Sequence, residues 1–389
     1  MQKGFHMQYR KVSKNGEMLS ALGYGLMRLP TDGDEIDEAL AEQQVLDGLA
    51  KGINYFDTAY PYHEGKSELF IGRVIERNGI RDQIKLATKL PHWLTEDSDH
   101  MLRLLDDQLE RLRTDYIDYY LIHALSGPSW EKLQAKGVQT FLDTALASGK
   151  IRNAGFSFHG ATEDFSTIVD GYDWTFCQIQ YNYLDTGNQA GTPGLQYAAS
   201  KDMAVMIMEP LRGGNLGKTP PPSVKDIWDK AETKRTPAEW GFRWLWNQPE
   251  VTVVLSGMNN TEHIDENLRI ASAAEADSLT QAEVALVEEA AAEFRRVMMV
   301  PCTGCQYCVP CPVGVNIPTC FETYNSKHTF KDPSASRFYK VFNGGILGGK
   351  PGLASQCVGC GECLKKCPQG INIPERLAEV AADMEGDDD

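Results

Sequence analysis

Between Ala21 and Ala273 the chain repeats one pattern eight times: a short apolar run, a polar loop, then a stretch of helical periodicity. The apolar runs are Ala21–Arg28, Asn54–Ala59, Ile84–Leu90, Tyr116–His123, Asn153–His159, Phe176–Tyr183, Ala204–Pro210 and Val251–Gly257. Helical patterns fill the intervals, as in Glu38–Lys51, Lys66–Arg77, Asp97–Arg113, Trp130–Ser148 and Glu262–Ala273. Regular strand–helix alternation makes a parallel sheet, because parallel strands need a crossover. Two architectures remain, a (β/α)8 barrel and an open doubly wound sheet. No G-x-G-x-x-G follows the first strand, which weighs against a dinucleotide-binding open sheet. A barrel needs about 250 residues, and this region supplies them. A TIM barrel is therefore expected. Ahead of it, Lys14-Asn15-Gly16 between Met7–Ser13 and Glu17–Leu22 predicts a hairpin.

At 389 residues the chain exceeds one ordinary core, so a smaller second domain is expected. Residues Leu279–Met298 read as one more amphipathic helix, and the composition changes at Val300-Pro301. That places the boundary between a barrel of residues 1–299 and a second domain of residues 300–389. The acidic tail Met384–Asp389 is expected to be disordered. A net charge of −16 argues against nucleic acid and anionic membrane surfaces as partners. No apolar run reaches membrane-span length and Met1–Arg10 has no signal-peptide core, so a cytoplasmic location is expected.

Ionisable residues gather at consecutive strand ends: Asp57 and Tyr62 after the second, Lys89 after the third, His123 after the fourth. In a barrel these positions surround one mouth. Singly each has a bland explanation, a solvated lysine or a satisfied core histidine; four at consecutive ends point to chemistry.

Here the sequence resembles the aldo-keto reductase superfamily, over roughly Leu22–Ser272. The motifs are Asp57-Thr58-Ala59-x-x-Tyr62, Thr88-Lys89, Ile122-His123, Gly155-Phe156-Ser157, Gln178-x-x-Tyr181-Asn182, Pro210-Leu211 and Glu266-Asn267. The resemblance implies an Asp57/Tyr62/Lys89/His123 tetrad for carbonyl reduction or alcohol oxidation. A hydride goes to carbon and a proton to oxygen. Tyr62 is the expected acid/base, with Lys89 lowering its pKa, Asp57 holding Lys89, and His123 orienting the carbonyl or relaying the proton. The resemblance further implies NADPH or NADH as cofactor. Ser157 and Gln178 would meet the nicotinamide carboxamide, Leu211 and Gly213 the pyrophosphate, and Glu266 and Asn267 the adenine, with Asn259 a further cofactor-binding residue. Three positions depart from the family. His63 replaces the common Gly, Phe158 replaces a carboxamide-binding Asn, and the Gly257–His263 loop lacks the Lys or Arg a 2′-phosphate favours, for which Arg212 is a possible substitute. His92, Trp93 and Trp130 are expected to line the substrate pocket.

Nine of ten cysteines lie beyond residue 300. Two runs stand out, Cys302-x2-Cys305-x2-Cys308-x2-Cys311-Pro312 and Cys357-x2-Cys360-x2-Cys363-x3-Cys367-Pro368. The second is the bacterial ferredoxin spacing, in which the fourth Cys reaches across to the other cluster. The expected sets are Cys302, Cys305, Cys308 and Cys367 for one [4Fe–4S] cluster, and Cys357, Cys360, Cys363 and Cys311 for the other. Zinc is the alternative. Cys177 and Cys320 are left over as packing residues. Val315-Asn316-Ile317-Pro318 and Ile371-Asn372-Ile373-Pro374 form an internal repeat, as a ferredoxin-like bis-[4Fe–4S] domain has. Phe330, Phe338, Tyr339 and Phe342 between the runs are expected to pack on the barrel. The whole resembles a branch of aldo-keto reductases with a C-terminal ferredoxin-type domain. Hydride moves two electrons together and a cluster takes one, so two functions compete. One is a carbonyl reductase whose clusters are structural or sensing. The other is an oxidoreductase linked to a ferredoxin or flavodoxin carrier. A nicotinamide-binding redox sensor is the third reading.

Overall fold

The computed structural model describes residues 6–345 and 350–386. Eight strands close a parallel barrel: β1 Leu22–Gly25, β2 Tyr55–Asp57, β3 Lys85–Leu90, β4 Ile117–Leu125, β5 Ile151–Phe158, β6 Phe176–Gln180, β7 Ala204–Met208 and β8 Val251–Ser256. Neighbours follow sequence order, and β8 returns to β1 with Val254 opposite Leu22. The expected barrel is present. Several strands end earlier than their apolar runs because the loop backbone turns away directly after the last ladder residue.

Successive side chains of a strand face opposite sides, so residues two apart share a face. Tyr55, Ala87, Tyr119, Leu121, Phe176, Met206 and Val253 form one buried cluster with Val12 and Leu19. The last two come from the N-terminal hairpin, Tyr9–Lys11 paired with Met18–Ser20. Two residues further along the same strand faces lie Asp57, Lys89, His123 and Gln178. Period-two geometry thus fills the barrel with apolar side chains at one end and aims polar ones out of the other.

The helices cover the strands as patterned, with one difference. The stretch Trp130–Ser148 is two helices, Gly127–Ala135 and Val138–Ala147, separated at Gly137 with φ +81°. The helix Lys66–Asn78 packs on Ser98–Leu112 with little space between them. A Cβ at Gly72 would stand 2.3 Å from the carbonyl oxygen of Arg111 and 2.9 Å from the carbonyl carbon of Leu112. Backbone cannot step aside as a side-chain tip can. Gly72→Ala is therefore expected to destabilise the protein by roughly 1–3 kcal/mol, read as a lowered denaturant midpoint.

Packing divides the chain into two units. One holds residues up to Pro210 with Phe242–Leu279; the other holds Leu211–Gly241 with Thr280 onward. In the second, the helix Pro222–Trp228 packs on Gln281–Val297, whose start is fixed by a capping box of Thr280 and Glu283. Val300, Val315, Ile317, Cys320, Phe321, Tyr339, Ile371, Ile373, Leu377 and Val380 make its core. The repeated Asn-Ile-Pro phrases cap two matching helices, Ile317–His328 and Ile373–Met384, each with Pro in the first turn. Tyr339 is buried in this unit's own core and donates to Glu385 at 2.5 Å, while Phe338 and Phe342 stay exposed and stack on each other at 5.9 Å. Tyr339 is thus a core residue of this unit. Of the acidic tail, Met384 is 2% exposed and closes its helix, so order extends that far; residues 387–389 lie outside the described residues. Among the described residues no helix is long and apolar enough to cross a membrane.

Candidate active site and cysteine centre

Lys89 is the hub of the barrel mouth. Its Nζ donates to Asp57 Oδ1 at 2.7 Å, to the Thr58 carbonyl at 2.8 Å and to Tyr62 Oη at 3.3 Å. Lys89 and Asp57 are both buried. Gln178 Nε2 donates to the other Asp57 oxygen at 3.2 Å. His123 stands edge-on to Tyr62, with ring centroids 6.2 Å apart. All four expected residues come together, and Gln178 joins them through Asp57.

Burial dominates their titration. It raises the Asp57 carboxyl and lowers the Lys89 ammonium, and their mutual attraction opposes both shifts. The expectation that Lys89 pulls the Tyr62 phenol down is not met. Burial holds it well above its ordinary value, the charges of Asp57 and Glu209 add to this, and Arg28 opposes it. Burial, then Lys89, holds His123 well below the usual histidine range, so its ring is neutral near pH 7. His123 Nδ1 is buried without a hydrogen-bond partner.

A network behind the lysine fixes it, and sequence reasoning missed it. Glu68, fully buried, accepts from Thr88 Oγ1 at 2.7 Å, Gln108 Nε2 at 2.6 Å and Arg111 Nε at 2.7 Å. Gln108 also donates to the Lys89 carbonyl at 3.0 Å and accepts from Tyr120 Oη at 2.7 Å. Arg111 reaches the Gly65 carbonyl, tying down the loop that carries Tyr62. A carboxylate on the apolar face of the Lys66–Asn78 helix, beside Phe70 and Ile71, was the available signal. His63 Nε2 accepts from the Leu29 amide at 3.1 Å, so this departure from the family packs the loop.

Trp93 is 49% exposed, with its ring 5.3 Å from His123, and forms part of the mouth. His92 is half-buried next to it, its pKa held down to about 4 by burial. Trp130 is a correction. It is 1% exposed and packs on Trp174 at 5.5 Å, which makes it core rather than pocket.

Ser157, at the end of β5, accepts from the Ala124 amide at 2.7 Å. Phe158 is fully buried against Phe165, so its position offers no polar group. Asn259 is exposed after β8, Glu266 half-buried, and Asn267 donates to Ser256 Oγ at 3.0 Å. Leu211 and Gly213 lie in the second unit, in a loop with φ +67° at Gly213 and +95° at Gly214. Arg212 in that loop is 4% exposed and donates to the Pro301 carbonyl at 2.7 Å, which commits it away from solvent.

The cysteines form two groups. One cavity is walled by Cys302, Cys305, Cys308 and Cys367. The other is walled by Cys311, Cys357, Cys360 and Cys363, with Cys308 at its border. Cys367 of the second run lines the first cavity and Cys311 of the first run lines the second, so the fourth thiol of each run sits with the other run. Among the described residues no three His, Cys, Asp or Glu side chains converge as on a single ion. Four thiols around each cavity fit the donor set of a polynuclear cluster. Cys177 and Cys320 are fully buried packing residues.

A closed parallel barrel with Asp, Lys, Tyr and His gathered at the strand ends is the scaffold of a barrel oxidoreductase. The chain belongs to the aldo/keto reductase family, whose family model matches residues 21–292. Residues 301–371 match a 4Fe-4S dicluster domain. L-galactose dehydrogenase of Arabidopsis thaliana is 25% identical over 302 residues, covering 72% of this chain and 93% of that one. 6-dehydroglucose reductase of Novosphingobium aromaticivorans is 27% identical over 289 residues, covering 66% and 88%. Among solved structures, the apo form of aldo-keto reductase AKR11C1 from Bacillus halodurans superposes with a TM-score of 0.59 at 25% identity, over 73% of this chain and 96% of that one. An aldo-keto reductase from Klebsiella pneumoniae, solved with NADPH, shares the fold with a TM-score of 0.59 at 22% identity, over 73% and 95%.

Proposed function

We propose that the protein reduces a small-molecule carbonyl with NADPH or NADH at the barrel mouth, and that the iron–sulfur domain lies outside the hydride path. The observation carrying this is Lys89, buried between the Asp57 carboxylate and the Tyr62 hydroxyl. Tyr62 is the proton donor to the carbonyl oxygen. Lys89 steadies the phenolate left behind, and Asp57 with the Thr58 carbonyl keeps Lys89 in place. Neutral His123 orients the carbonyl oxygen, and Trp93 walls the substrate. The nicotinamide, when bound, supplies the hydride. Ser157 fits its carboxamide, since its hydroxyl accepts from the Ala124 amide and keeps a proton to donate. Gln178, Asn259, Glu266 and Asn267 are the further contacts proposed, with Leu211 and Gly213 on the family resemblance alone.

The raised Tyr62 pKa gives a pH profile. Reduction needs the protonated phenol, and a pKa above the ordinary 10.0 keeps it protonated through neutral pH. The reduction rate is expected to stay level between about pH 6 and 9 and to fall only on the alkaline side. The reverse oxidation needs the phenolate and should rise with pH. A reduction rate that falls through about pH 7 would remove Tyr62 from this role.

Two [4Fe–4S] clusters are proposed, on the crossed sets Cys302/Cys305/Cys308/Cys367 and Cys311/Cys357/Cys360/Cys363. Anaerobically purified protein should carry about eight irons, as two four-iron clusters require. Cys311→Ser should perturb the signal of the cluster held by Cys357, Cys360 and Cys363 and spare the other; the opposite pattern refutes the crossed pairing. The division at residues 299 and 300 and a cytoplasmic location belong to the same proposal. A second reading has one observation in its favour. Cys360 is exposed beside Val358 and Leu364, 68% and 44% exposed, so a ferredoxin or flavodoxin could reach that cluster.

A further inference from the structure

We propose that Arg111 is a positioning residue for the proton transfer: through Glu68 and Gln108 it fastens the loop of Tyr62 to the strand end of Lys89, and so sets the distance at which those two groups meet. The inference deepens the Tyr62 reading above and rests on it.

The contact between Tyr62 and Lys89 does not hold itself. Lys89 Nζ stands 3.3 Å from Tyr62 Oη, where a well-formed charged N–H···O bond measures about 2.7–2.9 Å. The loop that carries Tyr62 is also costly to form. His63, Glu64 and Gly65 follow one another in the left-handed region, at φ +50°, +54° and +86°. Two of the three bear a Cβ, and such backbone persists only where its surroundings over-determine it. The Leu29 amide holds His63. Arg111 holds Gly65: its Nη2 donates to the Gly65 carbonyl, and its guanidinium lies over the Tyr60 ring, 4.9 Å from the centroid.

The same guanidinium is anchored on the lysine side. Its Nε donates to Glu68 Oε2 at 2.7 Å. The other oxygen of that buried carboxylate accepts from Thr88 Oγ1 at 2.7 Å and from Gln108 Nε2 at 2.6 Å. Gln108 Nε2 also donates to the Lys89 carbonyl at 3.0 Å. A continuous chain of hydrogen bonds thus runs from Gly65 through Arg111, Glu68 and Gln108 to Lys89. One oxygen of Glu68 serves the lysine strand and the other serves the tyrosine loop. An arginine that only neutralised Glu68 would have no need to hold a loop carbonyl as well. A planar guanidinium reaches both oxygens together, whereas a lysine ammonium is a point charge without that fork. Arg111→Lys therefore keeps the charge opposite Glu68 and gives up the hold on Gly65, which separates neutralising from positioning.

The test is steady-state kinetics on the full-length protein with NADPH and a panel of aliphatic and aromatic aldehydes, using the one that turns over fastest. Arg111→Lys should keep a urea midpoint close to wild type and lose about 10–10²-fold in kcat, the effect of a small misplacement. Its KM values for aldehyde and NADPH should stay close to wild type, because the loss falls on proton transfer. In a Tyr62→Phe background the same replacement should cost less than about twofold, since the hydroxyl it positions is already gone. Wild-type kcat in a folded Arg111→Lys protein overturns the proposal. So does an equal fall in both backgrounds, which would give Arg111 a role independent of Tyr62, or a fall carried by KM. If Arg111→Lys does not fold, Glu68→Gln decides on the same readouts; it can keep the oxygen that Thr88 and Gln108 use while turning a donor toward Arg111. Tyr62→Phe at the wild-type rate would instead defeat the acid/base reading, and this inference with it.

Discussion

Tyr62→Phe is expected to fold normally and to lose carbonyl reduction by about 10²–10⁴-fold, the range for removing a positioned general acid. The hydroxyl it deletes accepts from Lys89 Nζ at 3.3 Å. The loop itself is held by other contacts: the Tyr62 carbonyl accepts from the amides of Gly65 at 3.1 Å and Ser67 at 3.2 Å, and Leu29 donates to His63. Deleting one oxygen should therefore leave the mouth in shape. Cofactor affinity should stay close to wild type, because the loss falls on proton transfer. A Tyr62→Phe enzyme with near wild-type turnover would move the acid to another group, and neutral His123 would be the first to examine.

The second large effect concerns the buried ion pair. Lys89→Met leaves Asp57 charged or forcibly protonated inside the barrel, with only Gln178 to satisfy it. Breaking a buried pair from one side costs about 3–5 kcal/mol. The barrel transition in urea, followed by tryptophan fluorescence, should move down accordingly. The double replacement Asp57→Leu with Lys89→Met removes both charges and should regain most of that stability. It should regain none of the activity. If Lys89→Met is as stable as wild type, the pair does not hold the mouth together. If the double variant turns over, Lys89 is not needed beside Tyr62.

Sequence reasoning reached the barrel because its signal is local. Eight apolar runs and their intervening helical periods are each readable within a short window, and the missing G-x-G-x-x-G turns the choice from an open sheet to a closed one. It reached Asp57, Lys89 and His123 for a related reason, since each lies a fixed number of residues along a strand whose face is set by period two. It did not reach Glu68, Gln108 and Arg111. They sit on two helices far apart in sequence and meet only when Lys66–Asn78 packs on Ser98–Leu112. Trp130 was misplaced because aromatic residues after a strand serve a pocket and a core equally well; its contact with Trp174 decides, and that contact spans two later elements. The direction of the Tyr62 shift was also illegible. Charge neighbours can be guessed from sequence, but burial cannot, and here burial is the largest cause. The cysteine spacing gave the two groups, and the cavity walls place each fourth thiol with the opposite run.

The central claim is that hydride passes directly to the carbonyl while the iron–sulfur domain stands aside. Its most direct test uses NADPH carrying deuterium at the transferring C4 position, an aldehyde panel, and the full-length protein with its clusters intact. The account predicts one deuterium on the carbinol carbon of every product molecule, unchanged when the clusters are first destroyed. Turnover that yields alcohol without deuterium would mean the electrons travelled separately from the proton, through the clusters, and would contradict it.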